Sequence, residues 1–477
     1  MSNKNRSKRL VVDMILYAIG DFGSKIISFL LVPFYTNYLG TDEYGAMDLI
    51  NVTQSLIIPI ISLQLTSGVF RYLLDDKYDK EEIVSTGINF TIVSSTISMI
   101  VFWIIYKVFN LQIPYVGAIV LLTLFSMLNS MLKQILRGLD KIKIYSITGI
   151  ITTLLFCILN IIFIGYFKMS YQGMVYANII TLFIVSIFIL IEGNIFKCYK
   201  MNLFSKEVFK ELLVYSFPLI PNTISWWIMN VSDRYLVNIY VGMSAVGIYG
   251  LSNKFASVLF MFNSIFDRAW QTSAIENYSS PNRDKFFTEI FNKLMKFEIL
   301  IVLGCTIVLK PMMIFIGHEY RYAWKYANIL FLANLFLSFS LFYGVGYNCE
   351  KKTKEAFTTT VYSAILNFVI NLLLIKFIGV YAAALSTLIA YFVLWISRIF
   401  TTKKFFTIKI NIRELILGIT LILMANLISF LFEGLKLLLI DGIMCIVAIY
   451  VYRETIKYIW DMIIEYIDKF KSRASSN

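Results

Sequence analysis

Residues 146–167 read SITGIITTLLFCILNIIFIGYF, residues 168–172 read KMSYQ, and residues 173–195 read GMVYANIITLFIVSIFILIEGNI. Two apolar runs flank a short polar joint, and each is as long as the roughly 20 residues a helix needs to cross a hydrocarbon core. The same rhythm extends outward in both directions, from Leu10 to Tyr452. It predicts about fourteen transmembrane helices, near 10–38, 45–70, 84–106, 115–136, 146–167, 173–195, 212–240, 247–272, 297–316, 326–347, 357–375, 380–397, 414–432 and 437–452. Composition agrees, with 58% of the 477 residues hydrophobic, 15% charged and a mean hydropathy of +0.72. The reading is an all-α integral membrane protein with no room for a sizeable soluble domain.

A net charge of +13 raises the question of a nucleic-acid partner, and the placement of the positives answers it. Of the 43 Lys and Arg, 31 fall in the joints predicted to be inner and five lie within spans. The outer joints hold Lys107, Lys168, Lys310, Arg321, Lys325, Lys376 and Lys436. This asymmetry is the signature of a multi-pass protein of the cell membrane with both termini cytoplasmic, and no nucleic-acid partner is expected. The opening MSNKNRSKRL leads into a polar-spotted helix without a small-residue cleavage site, so it reads as an uncleaved first span. The five cysteines are scattered without a CxxC and His318 is the only histidine, which excludes a disulfide framework, a zinc site and histidine-centred catalysis. There is no GxxxxGK[ST] to cradle a triphosphate, and the outer joints are too short to house an active site. A transporter is expected, not an enzyme. No cofactor is expected beyond a coupling proton or sodium ion.

An internal repeat organises the helices. Tyr38-Leu39-Gly40, with Gly45 five residues on, matches Tyr240-Val241-Gly242, with Gly247 five on. Gly173-Met-Val-Tyr-Ala with Thr181 matches Gly379-Val-Tyr-Ala-Ala with Thr387. Their common order implies two six-helix bundles in parallel repeat, 1–200 and 201–405, followed by two appended transmembrane helices in 406–452. Residues 453–477 form a cytoplasmic tail in which Ile456, Ile459, Trp460, Ile463, Ile467 and Phe470 fall at helical spacing, as in an interfacial amphipathic helix. A substrate site is expected between the bundles.

Charges inside spans are the candidate functional residues, because a charge at the bilayer centre costs about 2.5–3.5 kcal/mol on insertion scales. In the first helix Asp21, Ser24, Lys25 and Ser28 share a face, which reads either as an internal ion pair or as a cavity lining. In the eighth, Lys254, Ser257, Met261, Ser264, Arg268 and Thr272 fall within about 80° of one another. Arg234 and Lys254 lie ten residues before and after Ser244, at matching depth, where both could reach one anion, although the Arg234 stem could also snorkel to the interface. Arg71, near Asp75 and Asp76, reads as a local ion pair or a ligand-entry residue. Asp233 and Asp267 directly precede Arg234 and Arg268, so their side chains diverge by about 100° and they are not automatic partners. Asp21, Asp233, Asp267 and Glu298 are candidate coupling-ion or cavity-balancing acids. Pro33, Pro59, Pro218 and Pro221 are expected to kink their helices.

With Pro33-Phe-Tyr-Thr-Asn-Tyr-Leu-Gly-Thr-Asp-Glu-Tyr-Gly45, Arg71-Tyr72, Ser232-Asp-Arg-Tyr235, Gly242 to Tyr249, Phe266-Asp-Arg-Ala-Trp270 and Gly379-Val-Tyr-Ala-Ala383, the chain resembles the oligosaccharide-lipid flippases. These form the polysaccharide export branch of the superfamily that also holds the MATE multidrug exporters and the lipid II flippases. The resemblance implies alternating access by two six-helix lobes that carry an undecaprenyl-diphosphate-linked oligosaccharide from the cytoplasmic to the outer leaflet. Its partners would be that lipid-linked sugar, the bilayer and polysaccharide assembly proteins. Lys25, Arg234, Lys254 and Arg268, with Arg71, would bind the diphosphate and its first sugars. The alternatives are a MATE-type cation-coupled exporter, which would want acids and aromatics in its cavity, and a membrane polysaccharide polymerase.

Overall fold

Backbone polar groups in hydrocarbon must be satisfied within their own segment, and the structure is built accordingly. A computed structural model describes Gly23 and residues 25–75, 77–110, 114–350 and 352–457, apart from the side chains of Ile265, Arg268 and Thr353. Every element among them is helical. In order these are α1 Val32–Tyr38, α2 Thr41–Ile61, α3 Leu65–Leu73, α4 Lys80–Val108, α5 Val116–Gly138, α6 Ile142–Asn160, α7 Tyr171–Glu192, α8 Lys206–Ser216, α9 Ile220–Val231 and α10 Asp233–Tyr240. There follow α11 Met243–Asn277, α12 Arg283–Met312, α13 Ala323–Cys349, α14 Thr353–Ile378, α15 Val380–Thr402, α16 Ile412–Leu431 and α17 Gly434–Val451. Among the described residues thirteen stretches are long and apolar enough to cross a membrane. The first expected span lies outside the described residues at 10–22 and 24, as does the amphipathic tail from residue 458.

Breaks within spans follow the local chemistry. The helix running through Lys25–Leu30 is interrupted at Leu31 and restarts as α1 with Pro33 in its first turn, where a missing donor does no harm. The single second span expected over 45–70 is two helices, because Leu63 and Gln64 adopt left-handed backbone after Pro59, with φ of 49° and 56°. The seventh span is also broken. Pro218 and Pro221 remove two donors around the tight turn Phe217–Leu219, and a second break at Ser232 separates α9 from α10. The ninth span starts well before its expected boundary at 297. It begins at Arg283, and its 30 residues measure about 45 Å, longer than the hydrocarbon core of about 30 Å.

The described residues form two compact units, one up to Gly247 with Gly317–Glu319, the other Ile248–Ile316 with Tyr320 onward. In the first, Leu65, Val69 and Leu73 of α3 pack with Ile83, Val84 and Ile88 of α4, Met131 and Ile135 of α5, Val185 of α7 and Leu212 of α8. Glycines let these helices approach: a Cβ on Gly138 would run into Leu73, and one on Gly68 into Ser216. In the second unit α13 is the enclosed helix, packed against α12 and α15. The appended pair is tied to α12 at both ends. Lys296 pairs with Glu414 at 3.1 Å, and the Lys310 ammonium donates to the Ser429 and Phe432 carbonyls at 2.6 and 2.8 Å, where the C-terminus of α16 favours a cation.

The segment joining α7 to α8 is a strap laid along α4. Ser85 Oγ donates to the Cys198 carbonyl and accepts from the Lys200 amide, and Thr86 Oγ1 accepts from the Ser205 amide. Asn89 Nδ2 donates to the Met201 and Leu203 carbonyls at 3.0 and 3.2 Å, while Tyr199 donates to Asn89 Oδ1 at 2.9 Å. Lys200 pairs with Glu81 at 2.5 Å, and Ser205 caps α8 by accepting from Val208 N. The three Asn89 bonds make it the key fastener. Asn89→Ala should cost about 1–3 kcal/mol, seen as a lower midpoint of thermal unfolding in detergent and faster tryptic cleavage at Lys197 and Lys200.

Candidate functional site

The first unit concentrates its polar chemistry where α2 meets the broken seventh span. The Ser232 break starts α10 at Asp233 and sets Arg234 against α2. Arg234 is buried, and its guanidinium donates to Asp233 Oδ1 and the Asn230 carbonyl, both at 2.9 Å, and to Asp48 Oδ2 at 3.3 Å. Asp233 is also buried, whereas the Asp48 side chain keeps 23% of its surface exposed. The expectation that Asp233 and Arg234 diverge is corrected: the long arginine stem folds back across the helix start. One arginine therefore faces two carboxylates. Asp48 was missed in the sequence; an acid three residues after Gly45 inside an apolar run was the available signal.

Further bonds lace α2 to the same span. Trp227 Nε1 donates to the Val52 carbonyl at 3.0 Å, Thr53 and Tyr235 hydroxyls meet at 2.5 Å, and Gln64 donates to Thr223 Oγ1 at 2.7 Å. Beyond Arg234 the two repeat turns touch. Thr41 and Ser244 hydroxyls are 2.6 Å apart. A Cβ on Gly45 would meet the Met243 carbonyl and the backbone of Gly247, and one on Gly247 would meet the Thr41 carbonyl, so the backbones are in direct contact. Gly242, with φ of +117°, makes the turn from α10 into α11. Gly317 sits equally close to the Thr36 carbonyl and donates to Thr36 Oγ1 at 3.2 Å, and the Thr41 amide donates to Glu319 at 3.4 Å. The glycines that mark the repeat in the sequence are thus a backbone seam.

In the second unit Glu298, expected near a helix start, lies in the middle of α12, buried, and accepts from Ser338 Oγ. Asp267 on α11 is within its electrostatic reach. Arg398, counted in an inner joint from the sequence, belongs to α15 and is buried. Its Nη1 donates to the Ser340 carbonyl at 2.8 Å, its Nη2 to Thr360 Oγ1 at 3.3 Å, and Gly344 leaves it the room. It binds α13, α14 and α15 together. Asp441 is a further buried acid, on α17, within electrostatic reach of Lys310.

The expected ligand residues are distributed as follows. Lys25 and Arg71 are exposed on the first unit, which also holds Arg234. Lys254, partly buried on α11, belongs to the second, and its neighbours Ser257 and Ser264 return hydrogen bonds to the carbonyls of Lys254 and Met261. Arg268 lies on α11, but its side chain is outside the described residues. Asp21 and Asp76 also lie outside them. Among the described residues no group of three or more His, Cys, Asp or Glu could hold a metal ion.

A family model described as "Polysaccharide biosynthesis protein" matches residues 10–271, more than half of the chain. The chain belongs to that family. The MatE model matches residues 218–373 of this polysaccharide biosynthesis protein. It is 22% identical over 346 residues to "Lsg locus putative protein 1" of Haemophilus influenzae, covering 70% of this chain and 83% of that one. An uncharacterised membrane protein of Methanocaldococcus jannaschii is 22% identical over 421 residues, 83% of this chain and 99% of that one. Among solved structures, the lipid II flippase MurJ in an inward closed conformation superposes with a TM-score of 0.66 at 17% identity, covering 93% of this chain and 100% of that one. An inward-facing MATE family transporter gives 0.55 at 13%, covering 84% and 99%. The fold is that of these two solved structures, and the two family models bear out the relationship named from the sequence.

The ion cluster predicts a sign pattern in stability. Arg234→Met removes the guanidinium that two carboxylates face and should destabilise by about 3–5 kcal/mol, whereas adding Asp48→Asn to it should recover part of that loss. A double-mutant cycle on thermal unfolding in detergent checks this, with non-additivity as the expected outcome.

Proposed function

We propose that this membrane protein flips polyprenyl-diphosphate-linked oligosaccharides from the cytoplasmic to the outer leaflet for the assembly of surface polysaccharide. Membership of the polysaccharide biosynthesis family carries this reading. In it both termini are cytoplasmic, and the repeat turns at Gly45 and Gly247 lie on the outer side. The two repeats, 1–200 and 201–405, act as lobes that alternate access. Lys25, Arg71, Arg234, Lys254 and Arg268 attract and hold the diphosphate, whose oxygens are strong acceptors for Arg and Lys. For Arg234 the ligand must displace Asp48, the more exposed of its two carboxylate partners. A proton or sodium ion taken up among Asp21, Asp48, Asp233, Asp267 and Glu298 would balance that exchange, because a carboxylate displaced from its arginine is costly within a membrane span. Polysaccharide assembly proteins would accept the product.

A MATE-type cation-coupled exporter is the second reading. It is favoured by the MatE match over residues 218–373 and by the buried Glu298, which has no described basic partner within salt-bridge distance. Vesicles that hold the protein separate the two. A diphosphate-linked glycan that becomes accessible in the opposite leaflet, with no movement of cationic dyes, supports the flippase. The reverse pattern supports the exporter.

Two outcomes are expected in cells. Arg234→Ala should lower export by more than its loss of membrane protein accounts for, and Arg234→Lys should restore only part of the export per molecule, because a point charge replaces a planar fork; surface polysaccharide normalised to membrane protein level is the measurement. Asp42→Cys should react with impermeant maleimide from outside intact cells, and labelling only from the cytoplasmic side would overturn the orientation.

A further inference from the structure

We propose that the strap and the start of α8, residues 196–210, form a docking surface for the anionic phosphodiester headgroups of the leaflet at the basic end of the molecule. The first support is depth. The row of exposed apolar residues on α4 begins at Ile92 and runs through Val93, Ile97, Ile100 and Ile104 to Phe109 just beyond its end. Seventeen residue steps from Ile92 to Phe109 span about 26 Å at 1.5 Å each, close to the roughly 27–30 Å of a bilayer's hydrocarbon. The hydrocarbon boundary therefore falls near Ile92, one turn from Asn89. A strap fastened to Ser85, Thr86 and Asn89 is thereby held in the headgroup layer.

The second support is what the strap presents there. Phe196, Met201 and Phe204 are 59%, 80% and 43% exposed, and the bonds to α4 prevent the backbone from turning them inward. Among them Lys197, Lys206 and Lys210 are exposed and make no ion pair with a described residue, while Lys200 is already paired with Glu81. Glu207 is the one acid between residues 196 and 210. Apolar side chains interleaved with unpaired lysines at a fixed depth match a lipid with a negative headgroup: the chains enter the acyl boundary while the ammonium groups meet phosphate oxygens. A neutral zwitterionic lipid offers the first contact without the second. This inference rests on the strap alone and holds whichever substrate the protein carries.

Full-length protein carrying Met201→Trp, reconstituted in phosphatidylcholine with a small fraction of brominated lipid, tests it by the quenching of the added emission relative to the parent protein. Brominated phosphatidylglycerol should quench several-fold more than brominated phosphatidylcholine at equal fraction. The excess should vanish when Lys197→Gln, Lys206→Gln and Lys210→Gln are combined in the same background, and should persist in millimolar inorganic phosphate. Equal quenching by the two lipids, no quenching by either, an excess that survives the three glutamines, or its loss to free phosphate would each overturn the proposal.

Discussion

A guanidinium buried inside a membrane span must have its donors and its charge answered from within the protein, and for Arg234 in the seventh span the second span supplies a counter-charge. Arg234 binds Asp48 across helices and Asp233 within its own, so α2 and α10 cannot part without exposing charge to an apolar setting. The remaining lacing accompanies this tie. The Trp227 bond to the Val52 carbonyl, the Tyr235–Thr53 hydroxyl pair and the Gln64 bond to Thr223 are neutral hydrogen bonds, each weak by itself in a membrane, and they run between the same two stretches of chain.

Much of the fold was legible because hydrocarbon imposes so few solutions. Apolar length gave the spans, basic joints gave a topology to test, and the glycines of the repeat pointed to turns that the structure brings into contact. What escaped was set by side-chain reach and local backbone. The break at Leu63 and Gln64 has no glycine to announce it, and the charged start of α12 at Arg283 carries no apolar signal because it projects beyond the hydrocarbon. Asp48 was overlooked since attention fell on cations, and Arg398 since a basic residue at the end of a span resembles a joint. The divergence argument for Asp233 and Arg234 failed because it used Cβ directions, which do not limit a side chain as long as arginine.

The two families of charge in the molecule do different work. Arg398 and Lys310 donate mainly to neutral oxygens, including backbone carbonyls, and hold helices in place. Arg234, in contrast, is held by carboxylates that another anion can replace or a proton can neutralise.

Backbone contact at Gly45 and Gly247 joins the first turns of α2 and α11, and under the proposed alternating access that seam has to open. The hydroxyls of Thr41 and Ser244, 2.6 Å apart across it, mark where a reversible lock can be placed. The decisive measurement is transbilayer movement of a diphosphate-linked glycan by protein carrying Thr41→Cys and Ser244→Cys. Movement should stop on oxidation and return on reduction, with the single variants unaffected. Full movement by the cross-linked protein would contradict the account.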